Sequence, residues 1–438
     1  MQPSLVNPVQ KETLDDATHR SGSLSGRIHI IGLGNVGCFV AHSLASRKTR
    51  PPITLLLHNR DMYSRWLQRK QSIALMTNGL DDIKTGFDVN VFNENTWHSL
   101  PYWNQHDNIN NSNVDNHEPE ILISRRQEDP DLESTHAFET DEEMDLLTSE
   151  RDDEKIECII ITTKAPQTVQ ALSSVSHRLT PDSTVLFLQN GMGVIDEVNK
   201  EIFPDPEKRP HYIQGVISHG LRMKRPFHVE YTGLGTTILG ALPSRTTSDV
   251  QEEDWAPSTK YLLRTLTLTP PLVAVAESAV NVLQCQLEKL AMNCVINPFT
   301  VLLDSQNGEL LYNYHITRSM RLLLAEISTV ICALPELEGV PGIQARFATE
   351  RLKNLAVNLA NKTAANTSSM LQDVQALKRT EIEYINGYIV RRGDELGIRC
   401  VLNYMIMQLV LGKNHIMRLR EAGAVPLDTS NLETEDEA

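Results

Sequence analysis

The sequence predicts an α/β protein in two parts, a doubly wound parallel sheet followed by an all-helical C-terminal domain. Two observations carry that prediction. Short apolar runs alternate with helical patterns from residue 27 to about 240, and several end in glycine or small polar loops, as ligand loops do at the strand C-termini of such a sheet. From about residue 277 the alternation fades and leucines recur at helical spacing, through Leu283, Leu287 and Leu290.

Taken in order, residues 1–26 read as a flexible leader ending in SGSLSG. Arg27–Ile31 is a β-rich run, and Gly32-Leu33-Gly34-Asn35-Val36-Gly37 follows it, leading into a helical pattern through Phe39, Val40, Leu44 and Ala45. A second apolar run, Ile53–Leu57, completes one strand–helix–strand unit. Residues 80–155 interrupt the pattern. Strands are expected at 86–92 and 118–126, at a sheet edge carrying a largely disordered, Asn-rich and acidic insertion at about 93–155. Strands resume at 158–164, 185–193 and 212–218, with two more at 228–231 and 236–239. The boundary is placed near Pro270-Pro271, giving a sheet domain over 27–275, a helical domain over 276–425 and an acidic tail over 426–438.

Composition excludes several classes. The chain has 438 residues and a net charge of −15. Residues 128–155 hold thirteen carboxylates against two basic residues, and 428–438 hold five against none, so the rest of the chain is close to neutral. Such runs are solvated segments, and no basic stripe suits nucleic acid. No apolar run reaches the roughly 18 residues of a membrane span. The six cysteines are scattered without a CxxC pair or zinc spacing, which suits free buried thiols in a reducing compartment. The N-terminus lacks a secretory pattern and carries Glu12, Asp15 and Asp16, so a cytoplasmic location is expected, with a mitochondrial one left open.

Three constellations carry chemistry. The glycine turn at 32–37 sits between a strand and a helix, the context in which GxGxxG brings backbone against a pyrophosphate at a helix N-terminus. At the end of the second strand, His58-Asn59-Arg60 stands where an NAD enzyme places an acidic residue. Arg60 suits a 2′-phosphate and favours NADP(H); Asp61, one residue later, keeps NAD open. In the helical half, Lys289, Asn293 and Asn297 recur at i, i+4 and i+8, one polar line on an otherwise apolar helix that Pro298 is expected to end or kink. The third constellation is Asn366–Asp373 with Arg379–Gly387. There Ser369 could bind a carboxylate, and Glu381, at the start of a helical run, reads on its own as a surface residue.

Four stretches resemble one family, the ketopantoate reductases (2-dehydropantoate 2-reductases). They are GLGNVG at 32–37, the loops at 163–165 and 189–193, KLAMNCVINPFT at 289–300 with Asn307–Leu310, and SSMLQD with TEIEYINGYI over 368–389. The resemblance implies a Rossmann-type domain followed by a helical domain, with the active site in the cleft between them. It also implies reduction of 2-dehydropantoate to (R)-pantoate with NADPH, on the route to pantothenate.

By position, Lys289 resembles the family's general acid. Asn190, Asn293, Asn297, Asn307, Asn366 and Ser369 fall where the 2-oxoacid is held, and Glu381 where the substrate hydroxyl and cofactor lie. Lys164, Asn190 and the backbone at Leu221 fall at cofactor contacts beside Gly32–Gly37. A reductase of another branched 2-oxoacid such as 2-ketoisovalerate, and a non-catalytic relative with a regulatory role, are the alternatives. The partner expected is a small-molecule 2-oxoacid, not nucleic acid or membrane; a homodimer is left open. The insertion and the acidic tail depart from compact family members without touching a matched site residue.

Overall fold

The structure is a computed structural model that describes residues 24–100, 150–243 and 255–423. The strand expected at 118–126, most of the leader and acidic insertion, and all of the acidic tail lie outside the described residues.

The first part of the chain runs β1 (Ile28–Ile31), α1 (Asn35–Ala45), β2 (Ile53–Leu57), α2 (Arg60–Gln68), β3 (Ile73–Thr77), β4 (Leu80–Lys84), β5 (Asp88–Asn93) and β6 (Thr96–Leu100). It continues with β7 (Glu150–Arg151), β8 (Cys158–Ile161), α3 (Ala165–Ser173), β9 (Thr184–Phe187), α4 (Val194–Glu201) and β10 (His211–Ile217). Then come β11 (Gly220–Arg225), β12 (His228–Gly233), β13 (Thr237–Ala241), α5 (Pro257–Thr267) and β14 (Ala274–Ala276).

The main sheet has the order β14-β13-β10-β9-β8-β1-β2-β5-β6-β7. Its centre, β10 to β5, is parallel throughout. The central strands are buried on both faces, which is why they read as continuous apolar runs. From β1 the chain proceeds outward through β2 and β5, then returns to β8 and proceeds the other way. That order is the Rossmann arrangement, whose ligand crevice opens where the direction reverses, here between β1 and β8.

Two features depart from the sequence reading. A second sheet, β11-β12-β3-β4, packs its inner residues, among them Ile73, Leu75 and Val229, into the core that α1 shares with the main sheet. Also, the segment expected to be disordered from about 93 to 155 is structured at both described ends. β6 pairs with β5 and β7 with β6, and Asp152 accepts hydrogen bonds from Asn90 (2.6 Å) and from the buried Arg178 (2.9 Å). The excursion therefore leaves and rejoins the sheet at adjacent edge strands.

The second part is helical: α6 (Ala279–Leu303), α7 (Tyr314–Cys332), α8 (Ile343–Arg346), α9 (Thr349–Lys362), α10 (Ser369–Gln375), α11 (Asn386–Glu395) and α12 (Val401–Glu421). One apolar core joins them, with Leu287, Leu290, Ala291, Cys294 and Val295 of α6 at its centre. Pro298 does not end α6, which runs on to Leu303. The Cys294 carbonyl that loses its helical N–H partner accepts one from the Asn386 side chain at 3.0 Å. The helical run expected from Glu381 is broken: Ile382–Tyr384 is a 3₁₀ turn, and Ile385 (φ −107°, ψ −92°) separates it from α11.

The six cysteines are free, and burial raises the Cys38 and Cys158 thiols to about 12. Among the described residues no helix is long and apolar enough to cross a membrane, and no cluster of three or more His, Cys, Asp or Glu could hold a metal.

Candidate active site

The glycine turn is built as the crevice requires. Gly32 has φ +94°, and a Cβ there would collide with the backbone of Thr163 at the end of β8. Gly37 lies so close to the Gly32 carbonyl that it also has no room for a Cβ. Thr162 donates its hydroxyl to that carbonyl at 2.6 Å, tying the turn to β8. Gly34 caps α1 without a side chain, and the first turn of α1 holds no acidic residue, so its N–H groups face no competing carboxylate of their own helix. Leu33 is buried and Val36 half-buried beneath the turn, and Asn35 donates to the Leu221 carbonyl at 3.3 Å. The cradle thus fits a dinucleotide pyrophosphate.

Arg60 opens α2 at the end of β2, exposed, with its Nε donating to Asn93 at 3.1 Å. Asp61, the alternative ribose ligand, is engaged by Arg65 of its own helix at 3.0 Å.

Across the crevice, α6 brings Lys289 against the ends of β9 and β10. Its Nζ donates to Asn190 Oδ1 (2.8 Å) and to the Ile217 carbonyl (2.7 Å). An ammonium has three N–H donors, so one remains for a ligand. Burial lowers the Lys289 pKa to about 8, with the charge of Glu381 pulling the other way.

Glu381 is 3 % exposed, which corrects its reading as a surface residue. Its Oε1 accepts the Ala165 N–H at the start of α3 (3.0 Å), and Oε2 faces Lys164 Nζ (3.4 Å). Lys164 also donates to Asp373 at 2.9 Å. Burial pulls its pKa down, but the charges of Glu381 and Asp373 outweigh that and raise it. Glu381 reaches this place on the strap before α11, where Tyr384 accepts the Met192 N–H at 2.9 Å. Gly191 (φ +82°) lies so close to Tyr384 that a Cβ would overlap it.

Four of the expected residues, Lys164, Asn190, Lys289 and Glu381, thus gather at the interface of the two parts. Asn293 is half-buried and Asn297 buried, one and two turns along α6 from Lys289. Asn307 is buried. Its amide nitrogen donates to Thr363, and its Oδ1 has no partner among the described residues. Asn366 and Ser369 are exposed and make no hydrogen bond to the Lys289–Asn190 or Lys164–Glu381 groups. Asn366 supports Asn307 through its backbone carbonyl, and it is Ser368, bonded to Thr300 at 2.6 Å, that caps α10.

Two members were missed from sequence. Asp373 sits one helical turn past Ser369, a spacing that could have found it. The Ile217 carbonyl leaves no trace in side-chain chemistry.

The chain matches the family description "Ketopantoate reductase PanE/ApbA" over residues 109–244 and its C-terminal counterpart over 281–414. It is 31 % identical over 269 residues to a "Probable 2-dehydropantoate 2-reductase" of Schizosaccharomyces pombe, covering 61 % of this chain and 77 % of that one. The chain belongs to the ketopantoate reductase family. It is accordingly an oxidoreductase. Two solved structures are similar in fold. One is a D-mandelate dehydrogenase in ternary complex with NADH and anilino(oxo)acetate (TM-score 0.62, 17 % identity, 89 % of this chain and 99 % of that one). The other is a PanE/ApbA family ketopantoate reductase of Ralstonia eutropha (TM-score 0.59, 20 % identity, 90 % and 99 %).

Proposed function

We propose that this member reduces 2-dehydropantoate to (R)-pantoate, with NADPH as reductant and Lys289 as general acid. The observation that carries the reading is the Lys289 ammonium, held by two acceptors from the sheet half with one donor unspent. The glycine turn would hold the pyrophosphate, Arg60 the 2′-phosphate, and Lys164, Asn190 and the Leu221 backbone the nicotinamide end. NADPH, when bound, supplies the hydride to the ketone carbon.

Lys289 meets the negative charge that grows on the ketone oxygen and gives it a proton. Asn190 and Ile217 restrain the amine so that little reorganisation is needed as charge develops. Asn293 and Asn297 orient the oxoacid. The unpartnered Oδ1 of Asn307 and the Ser369 hydroxyl are available to its polar groups, with Asn366 in support. Glu381, fixed by the α3 N-terminus and Lys164, presents a carboxylate to the substrate's terminal hydroxyl.

The test is consumption of NADPH over a panel of 2-oxoacids, with NADH in parallel. 2-Dehydropantoate with NADPH is expected to give the highest kcat/KM; a higher value for another 2-oxoacid overturns the substrate assignment. Replacing Arg60 by alanine should raise the KM for NADPH about tenfold or more and leave that for NADH nearly unchanged. Equal effects on both would show that Arg60 reads no phosphate.

The pH dependence follows from the lowered pKa of Lys289. The protonated form is the acid, so reduction should be flat below about 8 and fall above it, approaching about a tenfold loss per pH unit. A rate that rises through that range in the reductive direction would contradict the role.

A further inference from the structure

α6 carries the Lys289–Asn293–Asn297 line through a proline. The ring of Pro298 removes the N–H that the Cys294 carbonyl would accept and crowds that carbonyl, a combination that ordinarily breaks a helix. Here α6 continues to Leu303. The vacated acceptor is filled from another helix: the Asn386 Nδ2 donates to Cys294 O at 3.0 Å and, with its second hydrogen, to Asn403 Oδ1 at 3.0 Å. Asn403 in turn donates to Glu326 Oε2 at 2.8 Å and to the Leu323 carbonyl at 3.3 Å, and Glu326 accepts the Leu402 and Asn403 N–H groups.

Asn386 and Asn403 are both 0 % exposed. The carboxylate and the carbonyl fix the Asn403 amide, and Asn403 Oδ1 and the Cys294 carbonyl then fix the Asn386 amide, because a flipped amide would set oxygen against oxygen. The chain of donors ends on a carboxylate, which strengthens each link between two amides that are fully buried.

Asn386 is also the first residue of α11, five positions after Glu381 and directly after the strap on which Glu381 lies. One buried amide therefore fastens the acid-bearing helix to the strap that carries the carboxylate. We infer that Asn386 is a positioning residue that replaces the N–H missing at Pro298 and so holds the α6 polar line in register with Glu381 across the substrate. This rests on the assignment of Lys289, Asn293, Asn297 and Glu381 to the reaction, and adds to it a residue that touches neither substrate nor cofactor.

The experiment is a cycle on the full chain: Asn386→Ala, Pro298→Ala and the double variant, each measured for Tm and for steady-state kinetics with 2-dehydropantoate and with NADPH as the varied substrate. Pro298→Ala returns an N–H to the Cys294 carbonyl. The loss of Tm caused by Asn386→Ala should therefore be smaller in the Pro298→Ala background than in the wild type. Asn386→Ala should lower kcat/KM for the 2-oxoacid about tenfold, the size of one buried hydrogen bond, while the KM for NADPH moves by less than about twofold.

Asn386→Ser, which keeps a hydroxyl donor, should recover part of that loss and stands in for the alanine variant should the latter not fold. Equal Tm losses in both backgrounds overturn the replacement of the N–H. Coupled Tm losses with unchanged 2-oxoacid kinetics overturn the positioning role. If the wild-type chain reduces no 2-oxoacid, the functional assignment fails and positioning falls with it, while the Tm cycle still decides the hydrogen bond by itself.

Discussion

Replacing Lys289 by alanine is expected to lower kcat by about a hundredfold to ten-thousandfold, the range for losing a positioned general acid. The loss should be largely in kcat, because the charge that Lys289 meets appears on the ketone oxygen only as the reaction proceeds. The substitution also strips Asn190 Oδ1 and the Ile217 carbonyl of their donor. Some loss of substrate affinity through Asn190 is therefore expected beside it. Alanine also removes the cost of burying a cation, which offsets part of the two lost hydrogen bonds, so the variant should fold and bind NADPH. A variant with wild-type kcat would remove Lys289 from the mechanism.

The second large effect concerns selectivity. Glu381 is held at 3 % exposure by the Ala165 N–H and Lys164, an arrangement that leaves it little freedom to follow a smaller substrate. A site built to bond a hydroxyl rejects the analogue that lacks it, because the lone pair of the buried carboxylate left over by Ala165 and Lys164 then goes unmet. The wild-type chain should therefore prefer 2-dehydropantoate to 2-ketoisovalerate by at least about a hundredfold in kcat/KM. Glu381→Gln should reduce that ratio, chiefly by lowering the rate with 2-dehydropantoate. If the variant loses activity equally on both oxoacids, Glu381 serves the cofactor or the fold, not the hydroxyl.

The parts of this site legible in sequence are those whose geometry constrains residue type locally. A turn that must pass close to the backbone following β8 demands glycine at 32, a helix start pressed on the Gly32 carbonyl demands it at 37, and a polar stripe on a buried helix recurs every fourth residue, as Lys289, Asn293 and Asn297 do. The burial of Glu381 was not legible. It depends on the Ala165 N–H, 216 positions earlier in the chain, and no neighbouring residue announces that contact. The continuation of α6 past Pro298 depends likewise on Asn386, 92 positions on from Cys294. The second sheet escaped for a different reason. β4, Leu-Asp-Asp-Ile-Lys, is mostly exposed on both faces, so it shows no alternation, and β3 pairs in parallel with β12 far along the chain.

The acidic excursion leaves and returns through β6 and β7, next to β5. Asn93, the last residue of β5, accepts from Arg60. The excursion thus joins the sheet on the side where the adenosine end of the cofactor is expected, apart from Lys289.

The central claim is that the amine of Lys289 delivers the proton as the ketone is reduced. Single-turnover mixing of the NADPH-loaded enzyme with saturating 2-dehydropantoate isolates that step from product release. The account expects one equivalent of NADPH to be oxidised and one of pantoate formed in the wild type, with the same transient slowed by orders of magnitude in Lys289→Ala. Transients of equal rate in the two proteins would contradict it.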